Sequence, residues 1–278
     1  MPVTVPRASR ATPVGDTDPF TPDRARPVRV RSRTMPADTH FDPHRHAWAQ
    51  LAYCATGIVQ VTAAAPGDAA GEVTYIVPPS RAVWIAPGAR HSVHVLEDAQ
   101  FRTLYIDDSA TPAGWGGCRV LVVSPLLREL VHALDAPRLP QPRQDLLTRL
   151  VLDELARAAT QPLGVPMPPA QGGDKRLRAL CESVLRAPAE RATLAQWAAD
   201  VGASERTMAR LFRDELGTSY QQWRQQAVLA HALPLLARGV PVSHVAAASG
   251  YASDSAFTAM FKAAMGQPPS ALQGRAPA

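Results

Sequence analysis

The stretch LAQWAADVGASERTMARLFRDELG, residues 194–217, sets out a pattern that the chain repeats at residues 242–266, VSHVAAASGYASDSAFTAMFKAAMG. Each copy opens with apolar residues at positions i, i+3 and i+4, which lie on one face of a helix. A glycine follows in each copy, Gly202 and Gly250. A helix can end there because glycine adopts the left-handed conformation without a Cβ clash. The pattern therefore predicts a helix, a tight turn and a second helix, twice.

The second helix of each copy is predicted to begin at a serine and to turn its apolar side inward. Ser204 and Ser253 stand where an N-cap belongs, because a hydroxyl accepts from backbone N–H groups that lack a helical partner. Apolar residues between 208 and 212 define the buried side in the first copy, so Arg206 and Arg210 are expected to face solvent. A polar, basic helix packed across another helix is typical of major-groove recognition.

The two copies together predict a DNA-binding surface. The alternative is a helical bundle whose halves look alike by chance, and the shared glycine, serine and phenylalanine positions argue against it. Arg206 and Arg210 are expected to contact bases or phosphates in the first unit, with Ser255 and Thr258 in the second. Arg213 and Lys262, further along the two helices, are expected to contact phosphate. The complete sets are Ser204, Glu205, Arg206, Thr207, Arg210 and Arg213, and Ser253, Asp254, Ser255, Thr258 and Lys262.

The most specific pieces of this region are SERTMARLFRDELGTSYQQW at 204–223 and VAAASGYASDSAFTAMFKAAMGQPP at 245–269. Over residues 173–272 the chain resembles the DNA-binding domain of AraC/XylS-type transcriptional regulators. The resemblance implies two helix-turn-helix units, at 193–217 and 241–266, that enter successive major-groove segments about one turn (~34 Å) apart.

Capping signals place the helices around these units. Thr193 with Gln196, and Thr218 with Gln221, have the spacing of a capping box, in which side chain and backbone satisfy each other at a helix start. Pro234 is expected to interrupt the helix that links the two units, because proline removes a helical hydrogen bond.

Composition and charge fit a two-part protein. The chain has 278 residues and a net charge of +5, spread as +4 over residues 1–35, −3 over 36–173 and +4 over 174–278. An acidic middle joined to a basic end is expected of a sensor attached to a DNA binder. Three scattered cysteines suggest neither a disulfide framework nor a zinc knuckle. We see no apolar run of ~18 residues and no secretory signal, which favours a cytoplasmic location without a membrane partner.

Ahead of the helices, short β-rich runs alternate with turn residues. The runs IVQVTA, EVTYIV, RAVWIA, HSVHVL and FRTLYI fall between residues 58 and 106, and glycines or prolines separate them. Even spacing of short strands predicts an antiparallel barrel or sandwich. Residues 1–35 are rich in Pro, Thr, Asp and Arg and lack apolar periodicity, so we expect a disordered tail whose arginines could attract phosphates.

Two motifs in the β-rich segment carry a second resemblance. HRHAWAQLAYCATG at 44–57 has the spacing HxH-x3-E-x6-G, with glutamine in place of the glutamate. APGARH at 86–91 is similar to P-x-G-x2-H, with alanine in place of the first proline. On these motifs the segment 36–118 resembles a cupin, which implies a small barrel with an effector site inside.

The cupin motifs select a set of candidate ligands. His44, His46 and Gln50 share one face if the stretch is extended, and a barrel would bring His91 beside them. The resemblance implies a divalent transition metal (zinc, manganese or iron) on the three histidines, since neutral imidazoles bind such ions even without the usual carboxylate. Two alternatives stay open. In the first, these histidines and Gln50 are hydrogen-bonded to one another within a barrel mouth. In the second, they contact an organic effector directly, with Trp48 on the same strand face as the histidines.

Two amphipathic helices are predicted in the segment 119–160. Ser124-Pro125 is a favourable helix start, with a capping serine and proline at the first helical position. The second helix, from about 144 to 159, has a wide apolar stripe of Leu146, Leu147, Leu150, Val151 and Leu155. The helices cap the barrel or pair with a second subunit, as is common in AraC-like proteins with a cupin, and we expect one helix for each task. The run QPLGVPMPPAQGG at 161–173 predicts a linker.

These observations predict an α+β protein, with an N-terminal antiparallel β-barrel of the cupin or jelly-roll kind and an all-α domain at 174–272. The predicted function is sequence-specific transcriptional regulation, with operator DNA, a small-molecule effector and a second copy of the chain as partners. An activator, unlike a repressor, would also contact RNA polymerase. No nucleophile elbow, phosphate loop or paired carboxylates mark an enzyme. The alternatives are a metal-dependent, oxygenase-like cupin enzyme with an accessory DNA-binding domain, and a structural nucleoid-type binder. Effector turnover would identify the first, and the absence of sequence-specific footprints the second.

Overall fold

The structure is a computed structural model that describes residues 10–11, 18–64, 71–161, 163–169, 172–190 and 193–272. The chain divides into two compact units. One consists of residues 1–68 and 75–164, and the other of residues 69–74 and 165–278. The first unit is built mainly of antiparallel strands and the second mainly of helices, which confirms the predicted α+β class. Among the described residues, none of the helices combines the length and the apolar character that crossing a bilayer requires.

The described strands and helices follow one another in this order. The strands are β1 (Arg10–Ala11), β2 (Val28–Met35), β3 (Thr39–His44), β4 (Ala49–Thr56), β5 (Val59–Ala64), β6 (Val73–Val77), β7 (Arg81–Ile85), β8 (Arg90–Val95), β9 (Ala99–Ile106), β10 (Arg119–Val122), β11 (Thr160–Gln161) and β12 (Gly164–Pro166). The helices are α1 (Pro125–Leu134), α2 (Gln141–Arg157), α3 (Lys175–Arg186), α4 (Leu194–Asp200), α5 (Glu205–Leu216), α6 (Tyr220–Ala237), α7 (Val242–Ala248) and α8 (Asp254–Met265).

The described strands form two six-stranded sheets, which is the sandwich form of the predicted barrel or sandwich and not a closed barrel. The outer sheet has the order β1-β3-β8-β5-β6-β12, and the covered sheet has the order β11-β10-β7-β4-β9-β2. Strands β3 and β4 belong to different sheets, and so do β7 and β8, and β8 and β9. The chain therefore crosses between the layers at each of these connections, and the two strands do not pair. This is the jelly-roll form of the predicted architecture, with a core between layers in place of a barrel lumen.

The central strands β4 and β7 of the covered sheet are buried on both faces. Every residue of β4 from Ala49 to Cys54 is buried, and so is all of β7. Leu51 and Tyr53 pack in one hydrophobic cluster with Val131 of α1 and other residues of α1 and α2. Because successive side chains along a strand point to opposite faces, Gln50 points away from these helices.

Helices α1 and α2 both pack against the covered sheet, so capping it is not, as we expected, the task of one helix alone. Val151 in the stripe of α2 is 0% exposed and belongs to the cluster under the sheet. Leu146 and Leu150 on the same helix are 54% and 41% exposed, and Leu126 of α1 is 53% exposed. Ser124 caps α1 as expected, accepting from the backbone N of Leu127 at 3.0 Å. The wide stripe therefore divides into a core side and a solvent side.

The predicted tail and linker both contain strands. Residues 28–35, expected to be disordered, form β2, which pairs with β9 along its whole length from Val28 to Met35. The pairing partner lies about 70 residues further on, and the short alternation in VRVR was not by itself enough to predict the strand. The remaining part of the tail, 1–9 and 12–17, lies outside the described residues. In the predicted linker, β12 is fixed by Trp223 of α6, whose Nε1 donates to the Pro166 carbonyl at 2.7 Å.

The helical unit follows the predicted caps closely. Thr193 and Gln196 form a capping box at α4, and Ser204 and Ser253 cap α5 and α8. At α6 the box is formed one residue later than predicted, by Ser219 and Gln222. The helix α6 continues through Pro234 to Ala237, so the predicted interruption is wrong. Helices α3, α4 and α5 and the start of α6 share one hydrophobic cluster.

Candidate functional sites: a histidine cluster and two recognition helices

The N-terminal unit brings two cross-strand pairs together between its sheets. In the outer sheet, His44 at the end of β3 is the register partner of His91 on β8, and their ring centroids are 4.3 Å apart. In the covered sheet, Gln50 on β4 is the partner of Tyr105 on β9. His46 joins the two pairs, because its Nε2 lies 2.8 Å from Gln50 Oε1 and its ring centroid 5.0 Å from that of His91.

His46 and Trp48 do not lie on a strand, contrary to the prediction that His44, His46 and Gln50 share one strand face. They occupy the connection in which the chain passes from β3 in one sheet to β4 in the other. The turn before β8 holds this connection, since Gly88 N donates to the His46 carbonyl at 2.9 Å. The predicted side chains still come together, through a crossing between layers and not through the alternation of one pleat.

The histidine rings have one nitrogen engaged with the backbone. Nδ1 of His44 lies 2.8 Å from the Asp42 carbonyl, that of His46 2.7 Å from the Trp48 carbonyl, and that of His91 3.0 Å from the Ala89 carbonyl. A carbonyl oxygen only accepts, so Nδ1 must be the protonated nitrogen in each neutral ring. Nε2 of His44 and of His91 therefore carries a lone pair. Nε2 of His46 faces a second acceptor, Gln50 Oε1, at 2.8 Å, so it carries a lone pair only when the Gln50 amide turns its NH₂ group towards the ring.

Burial keeps two of these rings neutral. His91 is 1% exposed, and burial lowers its pKa to about 3. Burial also lowers the pKa of His46, although the Gln50 side chain opposes the shift. His91 Nε2 and Trp48 Nε1 are buried and have no hydrogen-bond partner among the described residues. The cluster thus has a free acceptor and a free donor that a ligand could satisfy.

The arrangement has the chemistry of a metal or small-ligand site. Ligand atoms of His44, His46 and His91 all lie within 4.8 Å of one another. Trp48 stacks on His46 at 5.1 Å with 6° between the rings, and Tyr105 meets His46 edge-on at 5.7 Å. Sequence reasoning missed Tyr105. The available signal was its alternating position in FRTLYI, but its direction depends on the sheet order.

A groove on the outer sheet is lined by other residues than this cluster. It is lined by His40, Gln60, Thr62, Ser92 and His94, among other residues. His94 was left out of the predicted ligand set because it should point away from His91, and the groove places it there.

The first recognition helix, α5, presents the predicted basic face. Arg206, Arg210 and Arg213 are exposed, whereas Met208 and Phe212 are buried against neighbouring helices. Ser204 and Thr207 are engaged at the helix start, where the hydroxyl of Ser204 accepts from Thr207 N at 3.1 Å. Arg210 lies 3.5 Å from Asp214 in an exposed i,i+4 pair, a weak interaction that DNA phosphates can displace.

The second recognition helix, α8, has a face of small residues. Ser253, Ser255 and Lys262 are exposed, Thr258 is half-buried, and Phe257 anchors the inner side. The predicted acidic contacts, Glu205 and Asp254, occupy the first turn of α5 and α8, where a carboxylate stabilises the positive end of the helix dipole. The long cations thus concentrate on α5.

Comparisons with known proteins agree with this two-part construction. The AraC-like ligand binding domain matches residues 26–163, and a helix-turn-helix domain matches residues 197–275. The HTH-type transcriptional regulator NimR of Escherichia coli (strain K12) is 34% identical over 248 residues, covering 82% of this chain and 89% of NimR. RipA of Corynebacterium glutamicum is 32% identical over 117 residues, covering 42% of this chain and 34% of RipA.

The matches define a helix-turn-helix transcriptional regulator with a ligand-binding domain ahead of its DNA-binding domain. The chain belongs to the AraC family of transcriptional regulators, which confirms the resemblance found in the sequence. ToxT of Vibrio cholerae covers 88% of this chain and 97% of its own at 12% identity, but its TM-score of 0.35 is too low to support an argument.

The lowered histidine pKa values predict a pH-dependent stability of the N-terminal unit. Unfolded histidine has a pKa near 6.5, so below that pH the unfolded chain binds protons that the folded His91 refuses until about pH 3. The contribution of His91 to the free energy of unfolding should be fully present above about pH 6.5. It should fall as the pH is lowered, by up to ~1.4 kcal/mol per pH unit. Urea unfolding of the wild type and of His91→Gln between pH 8 and 5 measures this. If the free energy of unfolding changes with pH by the same amount in both proteins, His91 does not have the lowered pKa assigned to it.

Proposed function

We propose that the chain is an effector-responsive regulator in which the histidine cluster is the sensor and α5 supplies most of the sequence recognition. The proposed domains are the ligand-binding segment at 36–118 with β2 added, the helices to residue 160 and the DNA-binding domain at 174–272. The observation that carries the sensor is the buried Nε2 of His91, which lacks a partner among the described residues beside two other imidazoles. Binding there alters transcription if the ligand prefers one conformation of the protein.

We propose that the occupant of the cluster includes a divalent transition metal, zinc, manganese or iron, on His44, His46 and His91. Metal-bound histidines usually donate their other ring N–H to a carbonyl or carboxylate, and all three Nδ1 atoms already lie against backbone carbonyls. Gln50, whose Oε1 lies 2.8 Å from His46 Nε2, would supply a fourth, neutral ligand. The metal would hold an effector without turning it over, which distinguishes a sensor from the alternative of a cupin enzyme.

A metal titration tests the sensor. Removing one of three imidazole ligands should weaken metal binding by at least about tenfold, so His46→Ala should lose Co²⁺ absorption bands that the wild type shows. It should also lose the transcriptional response to effector while keeping its basal DNA binding. His94→Ala removes a histidine from the other face of β8 and should behave as the wild type. Equal Co²⁺ affinity in the two variants would leave the histidines as direct effector contacts.

For DNA binding we propose base contacts from Arg206 and Arg210 on α5, with Ser255 and Thr258 reading the next groove segment from α8. Arg213 and Lys262 lie further along their helices and are proposed to contact phosphate. Because its target is chromosomal DNA, we place the regulator in the cytoplasm, and as an activator it would also contact RNA polymerase.

Arginine substitutions test the proposed groove face. A bidentate arginine–guanine contact is worth roughly 1–3 kcal/mol, so Arg206→Ala should weaken operator binding about 10- to 100-fold and relax preference at one base pair. Arg213→Ala should weaken all sequences alike and lower the salt slope by about one. Arg186→Ala removes an equally exposed arginine from α3 and is the control. If gel-shift titrations give Arg206→Ala the same operator affinity and base preference as Arg186→Ala, another face of α5 enters the groove.

We propose that the exposed leucines Leu126, Leu146 and Leu150 form a homodimer interface. Large apolar side chains that share two adjacent helices are a common mark of an association surface. Leu150→Glu should give a folded monomer, with at least a roughly tenfold weaker dimer, because burying one leucine contributes about 1.5–3 kcal/mol. Val151→Glu places a charge in the core and should unfold the unit. Sedimentation and thermal melts separate the two, and an unchanged mass for Leu150→Glu would exclude this surface.

A further inference from the structure

The DNA-binding unit contains a close contact between its two halves. The first half consists of α3, α4 and α5, the second of α7 and α8, and α6 joins them. Gly250, which ends α7, approaches the loop that follows α3. A Cβ atom on Gly250 would lie 3.1 Å from Ala189 Cα and 3.2 Å from the Pro188 carbonyl oxygen, both backbone atoms that cannot simply rotate away.

The joining helix supplies a third element at the same place. Arg224 of α6 donates from Nη2 to the Pro188 carbonyl at 3.2 Å. The same Nη2 would lie 3.0 Å from a Cβ on Gly250. The guanidinium thus lies where the loop of the first half meets the turn of the second. We call the four residues Pro188, Ala189, Arg224 and Gly250 the half-domain junction.

The equivalent glycine in the first copy of the repeat has no such contact. Gly202 also ends the first helix of its unit with a positive φ, 67° against 79° for Gly250. A Cβ on Gly202 would meet nothing within 4 Å among the described residues. Position 202 therefore needs glycine for its backbone conformation, whereas position 250 needs it for that conformation and for the close approach.

We propose that the half-domain junction fixes the separation and rotation of α5 relative to α8, and so sets the operator spacing that the regulator accepts. The inference rests on the proposal that both recognition helices engage DNA. One inserted base pair moves the second groove segment by about 3.4 Å and turns it by roughly 35°. A rigid junction cannot follow that change, whereas two halves joined by α6 alone could adjust.

Matched glycine variants test the junction. Operators are first selected from random-sequence DNA with the full-length wild type, and one base pair is then inserted between the two recognised segments. The insertion should weaken wild-type binding by about 10- to 100-fold, since one helix loses its base contacts. We call the affinity for the original operator divided by that for the lengthened operator the spacing ratio. Gly202→Ala, which has the same backbone strain without the clash, should have the same spacing ratio as the wild type. Gly250→Ala should show a ratio reduced at least threefold from that of the wild type, with weaker binding at the original spacing.

Arg224→Met keeps the interaction testable if Gly250→Ala does not fold. This variant leaves both glycines in place, removes the hydrogen bond to Pro188 and should reduce the spacing ratio in the same direction. Spacing ratios for Arg224→Met and a folded Gly250→Ala equal to that of Gly202→Ala would overturn the inference while leaving the regulator a DNA-binding protein. A wild type that selects only one recognised segment would instead contradict the two-helix operator, and this inference with it.

Discussion

Burial of the central strands β4 and β7 on both faces is the constraint on which the N-terminal unit depends. A strand covered on both sides has no solvent face to receive polar side chains, so β4 and β7 are apolar almost throughout. Gln50 is the exception in β4, and it lies 4% exposed, against His46. A buried amide must be satisfied by neighbouring groups. The polar cluster between the sheets provides such a group, since His46 Nε2 lies 2.8 Å from Gln50 Oε1.

The helical unit could be predicted largely from its sequence because its signals are local. Each glycine, capping serine and apolar triplet acts within a few residues. Ser204 and Ser253 cap their helices, and Gly202 and Gly250 have positive φ, as their patterns predict. The errors arose where contacts are distant. Residues 28–35 become a strand only because β9 accepts them, and α6 continues through Pro234 where packing along its length outweighs one lost hydrogen bond.

The candidate sensor shows the same division. The resemblance supplied His44, His46, Gln50 and His91, but it could not supply the crossing between sheets that brings them together. The sequence did not predict Tyr105 as a residue of this site, because the direction of its side chain depends on the order of the strands in the sheet. On α2, neighbouring residues Leu150 and Val151 have opposite environments, and a stripe of five apolar residues does not reveal which of them a sheet will cover. Their roles in binding and association stay predictions until tested.

The edge strand β2 has a consequence for how the protein behaves in a crowded cell. Strand β2 terminates the covered sheet, and its alternate residues Arg29, Arg31 and Arg33 are positively charged. Two of these guanidinium groups rest on aromatic rings, Arg31 over Phe20 and Arg33 over Phe41. An unpaired strand edge invites a strand from another molecule, but two such edges would bring rows of like charge together. In the part of the chain that the structure describes, the arginine row therefore disfavours pairing of this edge with the same edge of a second copy.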